Sequence, residues 1–206
     1  METYLLNFAS SIVKQSSTMK KFFLICGTAL LTASASFAQT WSLDKAHSKL
    51  GFSITHMKIS EVDGLFKNFD VKVTSAKPDF TDAVIELTAD INSVNTDNDM
   101  RDNHIKGADY FDAAKYPTMT FKSTSIKKTG AKTYAVTGNL TMHGVTKPVT
   151  LNATLNGTGE NPMSKKTMAG FKVSGVIKRS DFGVGEESAM LGNEVTLDSK
   201  LELAKG

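Results

Sequence analysis

Tyr134-Ala-Val-Thr-Gly-Asn-Leu-Thr-Met-His-Gly-Val-Thr-Lys-Pro-Val-Thr-Leu-Asn-Ala-Thr-Leu-Asn-Gly157 exchanges apolar and polar side chains at almost every step. Tyr134, Val136, Gly138, Leu140 and Met142 share one parity, against Ala135, Thr137, Asn139, Thr141 and His143. Gly144 and Pro148 bracket a tight connection. Val149, Leu151, Ala153, Leu155 and Gly157 then repeat the arrangement against Thr150, Asn152, Thr154 and Asn156. Period two in successive segments joined by a short turn describes antiparallel neighbours, each burying one face.

Working outward, the same pattern recurs in both directions. Downstream, after the loop Gly159-Glu-Asn-Pro162, come Ala169, Phe171, Val173, Gly175 and Ile177, and finally Val195, Leu197, Ser199, Leu201 and Leu203. Upstream lie Met119, Phe121 and Ser123, then Ile85, Leu87, Ala89 and Ile91, then Phe69, Val71 and Val73, and first Leu50, Phe52 and Ile54. Asp63-Gly64 reads as the turn entering the second strand, which spans 66–74. Eight two-faced strands with turns between neighbours predict an all-β chain, either an up-and-down antiparallel barrel or a two-sheet sandwich. The inward parity mixes large residues with Ala89, Gly138, Ala153, Gly175 and Ser199. Small inward residues leave room for a ligand inside an eight-stranded barrel, unless Phe52, Phe69, Phe121 and Phe171 fill the gaps.

One stretch breaks the alternation. Asp97 to Phe121 opens with Asp97–Asp99, places Met100, Arg101, His104 and Ile105 at helical spacings, stops at Gly107 and continues into Tyr110, Phe111, Tyr116 and Pro117. It predicts one short helical insertion, about Asp99 to Lys106, followed by an aromatic segment that covers or walls one end of the barrel. Pro117 redirects the chain into the next strand.

The chain's beginning has a different character. From Met19, the basic pair Lys20-Lys21, the apolar run Phe22–Leu31 and the small residues up to Ala38 form a secretory signal peptide, too short in its apolar part to span a bilayer. Residues 1–18 are then an upstream extension or a misassigned start, 19–38 the signal, and 39–206 a single domain, released to the periplasm or exterior by cleavage near Ala38. Cys26, the sole cysteine, lies in the removed part, so no disulfide or thiol chemistry is expected. Cleavage removes Lys14, Lys20, Lys21 and Glu2, leaving 21 of 24 basic and 20 of 21 acidic side chains in 168 residues, a net charge of +1. Nucleic acid is not an expected partner, nor is stable membrane insertion; a homodimer is allowed.

Several runs together resemble the YceI-like family of secreted lipid-binding proteins. They are Asp44-Lys-Ala-His-Ser48 leading to Gly51-Phe52-Ser53; Arg101-Asp-Asn-His104; Asp109-Tyr-Phe-Asp112 with Lys115-Tyr-Pro117 and Thr120-Phe121; Gly138-Asn-Leu-Thr-Met-His-Gly144; and Lys178-Arg-Ser-Asp-Phe-Gly183. The resemblance implies a lipocalin-like barrel that carries an elongated apolar ligand, such as an isoprenoid quinone, a polyprenyl (pyro)phosphate or a fatty-acid derivative, without other cofactors and without catalysis.

For the tail of such a ligand, the candidates are Phe52, Ile54, Phe69, Leu87, Met100, Phe111, Phe121, Val136, Leu140, Met142, Phe171 and Val173. Head-group candidates are Arg101, His104 and Arg179. Arg101 and His104 share a helix face and suit a phosphate, carbonyl or hydroxyl; alternatively, Arg101 pairs with Asp97 and fastens the helix. Arg179 continues the inward parity and is expected to pack over Trp41 at a barrel end. The histidines His47, His56, His104 and His143 lack metal-ligand spacing, and neither Ser48 nor Ser53 has a nucleophile context. Asp44 with His47 and Ser48 reads as a turn-and-cap arrangement. The rival to a carrier is a lipid-modifying or metal-assisted enzyme using the same cavity.

Overall fold

The computed structural model describes residues 38–206. Apart from Ala38, the signal segment expected at 19–38, with Cys26, and the extension expected before it lie outside the described residues. Within them, the strands are β1 (Gln39–Leu43), β2 (Lys49–His56), β3 (Ser60–Phe66), β4 (Phe69–Ser75), β5 (Val84–Asp90), β6 (Val94–Asn95), β7 (Thr118–Lys128), β8 (Thr133–Met142), β9 (Val145–Glu160), β10 (Thr167–Lys178) and β11 (Leu191–Lys205). Helix α1 is Asp99–Ile105.

Strands β1, β4, β5, β7, β8, β9, β10 and β11 are hydrogen-bonded in that order, and β1 pairs back onto β11 to close the ring. All these pairings are antiparallel. The remaining strands continue ribs already in the ring. β2 prolongs β1 along β11, β3 prolongs β4 along β2, and β6 prolongs β5 along β3. The result is an eight-stranded up-and-down barrel, the first of the two architectures the alternation allows and the one the family resemblance implies, with three of its ribs broken side by side.

The breaks have local causes. Asp44 accepts from the Ala46 amide at 3.0 Å, which curls Lys45–His47 into a 3-10 turn between β1 and β2. Asp90 does the same with the Asn92 amide at 2.9 Å between β5 and β6. Between β3 and β4, the Lys67 and Asn68 amides donate to the Ser93 carbonyl and hydroxyl, both at 3.0 Å. Short polar side chains that capture nearby amides offer the backbone an alternative to the ladder. The three breaks form a crease across the sheet.

Past the crease the ring is completed by other means. β5 pairs with β7 up to Asp90↔Thr118, and the Ile91 amide still reaches the Pro117 carbonyl at 2.9 Å. Beyond that, β6 follows β3, and α1 with 106–117 connects it to β7. Asn98 caps α1 by accepting from the Arg101 amide at 2.9 Å.

Two expectations are corrected and one strand is added. Asp63-Gly64 is mid-strand in β3, opposite Ser53 and Phe52, and the turn is Met57-Lys58, both with positive φ (55° and 62°). Pro148 lies within β9, opposite Asn139; the hairpin turns at His143-Gly144. Gln39–Leu43, unread in the sequence, is the strand that closes the barrel. Its alternation is too short to register, and its partners are distant.

Inside, the small inward residues do two different things. A side chain on Gly138 would meet the Phe121 ring at 2.4 Å, one on Gly64 the Phe52 ring at 2.3 Å, and one on Gly175 a Leu151 methyl at 2.6 Å. These glycines are seats for large neighbours, the packing known as aromatic rescue where the neighbour is a ring. Ser199 and Ala153, by contrast, face open space.

Candidate ligand-binding site

The barrel encloses a cavity of about 450 Å³, within the range of ordinary small-molecule sites. Of the tail candidates, Phe52, Ile54, Leu87, Phe111, Phe121, Leu140, Met142 and Val173 are on its wall. Val136 and Phe171 instead line a smaller adjoining cavity of about 90 Å³. Phe69 is buried in the core and lines neither. Met100 is 84 % exposed and is no part of the wall: the helix turns Asp102 into the protein, and Met100, about 200° away around the axis, points to solvent.

Several further wall residues were not among the candidates. Leu50, Val195, Leu197, Ser199 and Leu201 share the inward parity and were available to that argument. Others escaped it: Val62 was hidden by the misplaced turn, Phe66 has the opposite parity to Phe69 because the strand breaks between them, and Ser188 and Met190 sit in an aperiodic loop.

The polar groups of the cavity concentrate where α1 and the loop before β11 meet. Thr96 organises them. Its amide and hydroxyl donate to Asp102 Oδ1 at 2.8 and 2.6 Å, while its hydroxyl and carbonyl accept from Arg101 Nε and Nη2, both at 2.7 Å. Arg101 is therefore held through Thr96, not by Asp97, and α1 is fastened by the buried Asp102 carboxylate. Arg101 lines the cavity beside His104, whose ring meets Tyr110 edge-on at 5.1 Å. Phe111 is braced edge-on by Phe66 at 6.0 Å. Tyr116, by contrast, packs on His143 and Gly144.

Arg179 does not pack over Trp41. Trp41 sits at the opposite end of the barrel, its ring tilted against Phe80 with centroids 5.1 Å apart. Arg179, 3 % exposed, donates to the carbonyls of Gly192 (2.9 Å), Val184 (3.0 Å), Glu186 (2.8 Å) and Leu191 (3.5 Å). Its planar fork ties the 183–192 loop to the end of β10, so it touches the cavity as a structural wall and is not free to take a head group. Gly185, with φ 71°, lets this loop pass against Tyr110 and Arg179, where a Cβ would come within 2.7 and 2.9 Å.

Elsewhere, the Asp44, His47 and Glu202 ligand atoms lie within 4.8 Å of one another. His47 is largely exposed and gives Nδ1 to Asp44 at 3.0 Å, which holds the Asp44 carboxyl below its usual range. Ser48 Oγ accepts from the Glu202 amide at 2.9 Å. The arrangement is the turn and cap read from the sequence.

A closed antiparallel barrel, a crease, a helix inserted between the third and fourth ribs and an apolar interior are now in view, and the family model describing a YceI-like domain matches residues 41–203. The chain belongs to the YceI-like family. A UPF0312 protein of Pseudomonas putida is 41% identical over 190 residues, covering 87% of this chain and 97% of that one. Among solved structures, BcnA of Burkholderia cenocepacia superposes with a TM-score of 0.70 at 29% identity, covering 78% of this chain and 98% of its own. The YceI protein of Campylobacter jejuni gives 0.65 at 34%, covering 80% and 96%. A polyisoprenoid binding domain from Saccharophagus degradans gives 0.59 at 21%, covering 81% and 98%, and shares the fold. In the YceI-like barrel described here, no helix among the described residues is long and apolar enough to cross a membrane.

Proposed function

We propose that this YceI-like protein is a non-catalytic carrier that holds an isoprenoid or fatty-acyl lipid in its barrel, in the periplasm or outside the cell after signal cleavage. The observation that carries the reading is the 450 Å³ cavity, walled by Phe, Leu, Ile, Val and Met and polar chiefly where Thr96, Arg101, His104 and Ser188 gather. An apolar wall with polar groups at one end fits an amphiphile whose head stays near α1. Burial contributes about 0.8 kcal/mol per methylene, so roughly ten sequestered carbons give about 8 kcal/mol, of micromolar order before ordering costs. Arg101 and His104 can hydrogen-bond a carbonyl, hydroxyl or phosphate. A sandwich with a filled core has no such cavity. An enzyme acting on the same lipid would need a convergent acid and base in the depth of the cavity, where Leu87, Phe121, Leu151, Val173, Ser199 and Leu201 lie. The test is native mass spectrometry with organic extraction of the mature protein purified from its own host. A co-purifying long-chain lipid is expected, and a lipid-free protein that also refuses isoprenoid and fatty-acyl probes would sink the reading.

A further inference from the structure

The interior holds two adjoining cavities. The larger cavity at the helix end and the smaller one of about 90 Å³ share five wall residues: Leu87, Phe121, Leu151, Val173 and Leu201. They come from β5, β7, β9, β10 and β11, so they form a belt around most of the ring. Two of the five are backed by glycine. The Phe121 ring fills the place of a side chain on Gly138, and a Leu151 methyl that of one on Gly175. A ring seated in this way, 6 % exposed and close-packed from behind, does not yield space without losing contacts. Below the belt, Ala83 and Ala153 leave the lower chamber partly empty, and its volume is several times the roughly 10–15 Å³ that admits one water.

We infer that this belt, with Phe121 as its largest member, is the length stop of the binding site. It limits the tail to the upper chamber and keeps the lower one as space that only a longer chain would use if the stop were removed. The inference rests on the carrier reading and deepens it: it specifies a ligand with a defined maximum tail length, where an open tunnel would accept any.

The experiment is a titration of the mature protein with saturated fatty acids, and in parallel with isoprenoid alcohols, of roughly eight to twenty carbons. Affinity is expected to rise by about fourfold per methylene and then level off once the tail reaches the belt. In Phe121→Ala the break should move to longer chains. Because that substitution also frees the volume of the ring itself, the deciding variant is Phe121→Ala with Ala153→Leu, which fills the lower chamber. It should return the break toward its original place, whereas Ala153→Leu alone should leave the break where it is. Should Phe121→Ala fail to fold, Val173→Ala opens the same belt and is read in the same way. Binding that rises with no break, or a break that stays extended in the double variant, overturns the length stop alone. No binding of fatty acids or of isoprenoid alcohols at any chain length overturns the carrier reading and the stop with it.

Discussion

Asp102 shows how little room a single buried carboxylate leaves for choice. It is 5 % exposed and accepts two hydrogen bonds from Thr96, and Thr96 passes the negative charge on to Arg101. Removing it leaves a buried amide without its acceptor, at a cost of about 1–3 kcal/mol. Asp102→Ala should therefore lower the melting temperature by about 2–12 °C in a domain of this size, measured by circular dichroism. Met100→Ser, one turn face away in solvent, should leave it unchanged. Arg179 makes the same point with the opposite charge. Because its fork reaches several carbonyls at once, Arg179→Lys should destabilise the protein nearly as much as Arg179→Met, since an ammonium cannot span them. Full rescue by lysine in thermal unfolding would mean that charge alone is what matters there.

Asp82 adds a pH dependence at the same scale. The Ser75 hydroxyl hydrogen bond, at 2.6 Å, is the main cause holding the Asp82 carboxyl below its ordinary value of 3.8, with the Ala76 and Lys77 amides assisting. A depressed folded-state pKa contributes stability that is present above the unfolded value and is lost as pH falls through the folded one. The wild-type chain should thus lose part of its stability below about pH 3.8. Asp82→Asn should lie below wild type at neutral pH and converge on it in acid, as chemical denaturation at several pH values would show.

Among the elements, the β2–β3 pair carries the clearest test. Phe52 and Gly64 face each other across the ladder, and the ring lies where a Gly64 side chain would be. Gly64→Ala is expected to cost about 1–3 kcal/mol through overpacking. Adding Phe52→Ala should recover part of that loss, so the two effects are far from additive. Independent, additive effects in denaturant unfolding would remove the seat from the argument. Helix α1 and the aromatic segment after it give a second comparison, in binding. Phe111→Ala should lower lipid occupancy more than Arg101→Ala if tail burial dominates. The reverse order would assign recognition to the head-group end.

At the scale of the whole molecule, closure is the decisive event. β1 must find both β4 and β11, and the Gly206 amide reaches the Thr40 carbonyl at 2.8 Å, so the two ends of the described chain meet. Contacts this distant in sequence make loop closure costly before any contact rewards it. A chain of residues 39–206 should unfold cooperatively. One beginning at Lys45, without β1, should lose both the cooperative thermal transition and the fixed aromatic environment seen in near-ultraviolet circular dichroism.

Much of this was legible in the chain. Alternation in 134–142 and 149–157, repeated along the sequence, names the strands and their buried faces because side-chain direction reverses at each residue of a strand. That is enough for eight antiparallel strands with one apolar face each, in a barrel or a sandwich; the family resemblance points to the barrel, and the lapse at Asp97–Phe121 is enough for the helix. The same local logic misread Asp63-Gly64, since glycine marks a turn and a cross-strand seat alike, and it placed Met100 on the wall, since spacing gives a face but not what that face meets. Three matters were decided only in three dimensions: that β1 closes onto β11, that Arg179 is bound by loop carbonyls and not stacked on Trp41, and that Gly138 and Gly175 hold Phe121 and Leu151 in a belt while Ser199 and Ala153 leave space. Each depends on partners far apart in sequence. Period and propensity fix which way a side chain points, and only packing fixes what it finds there.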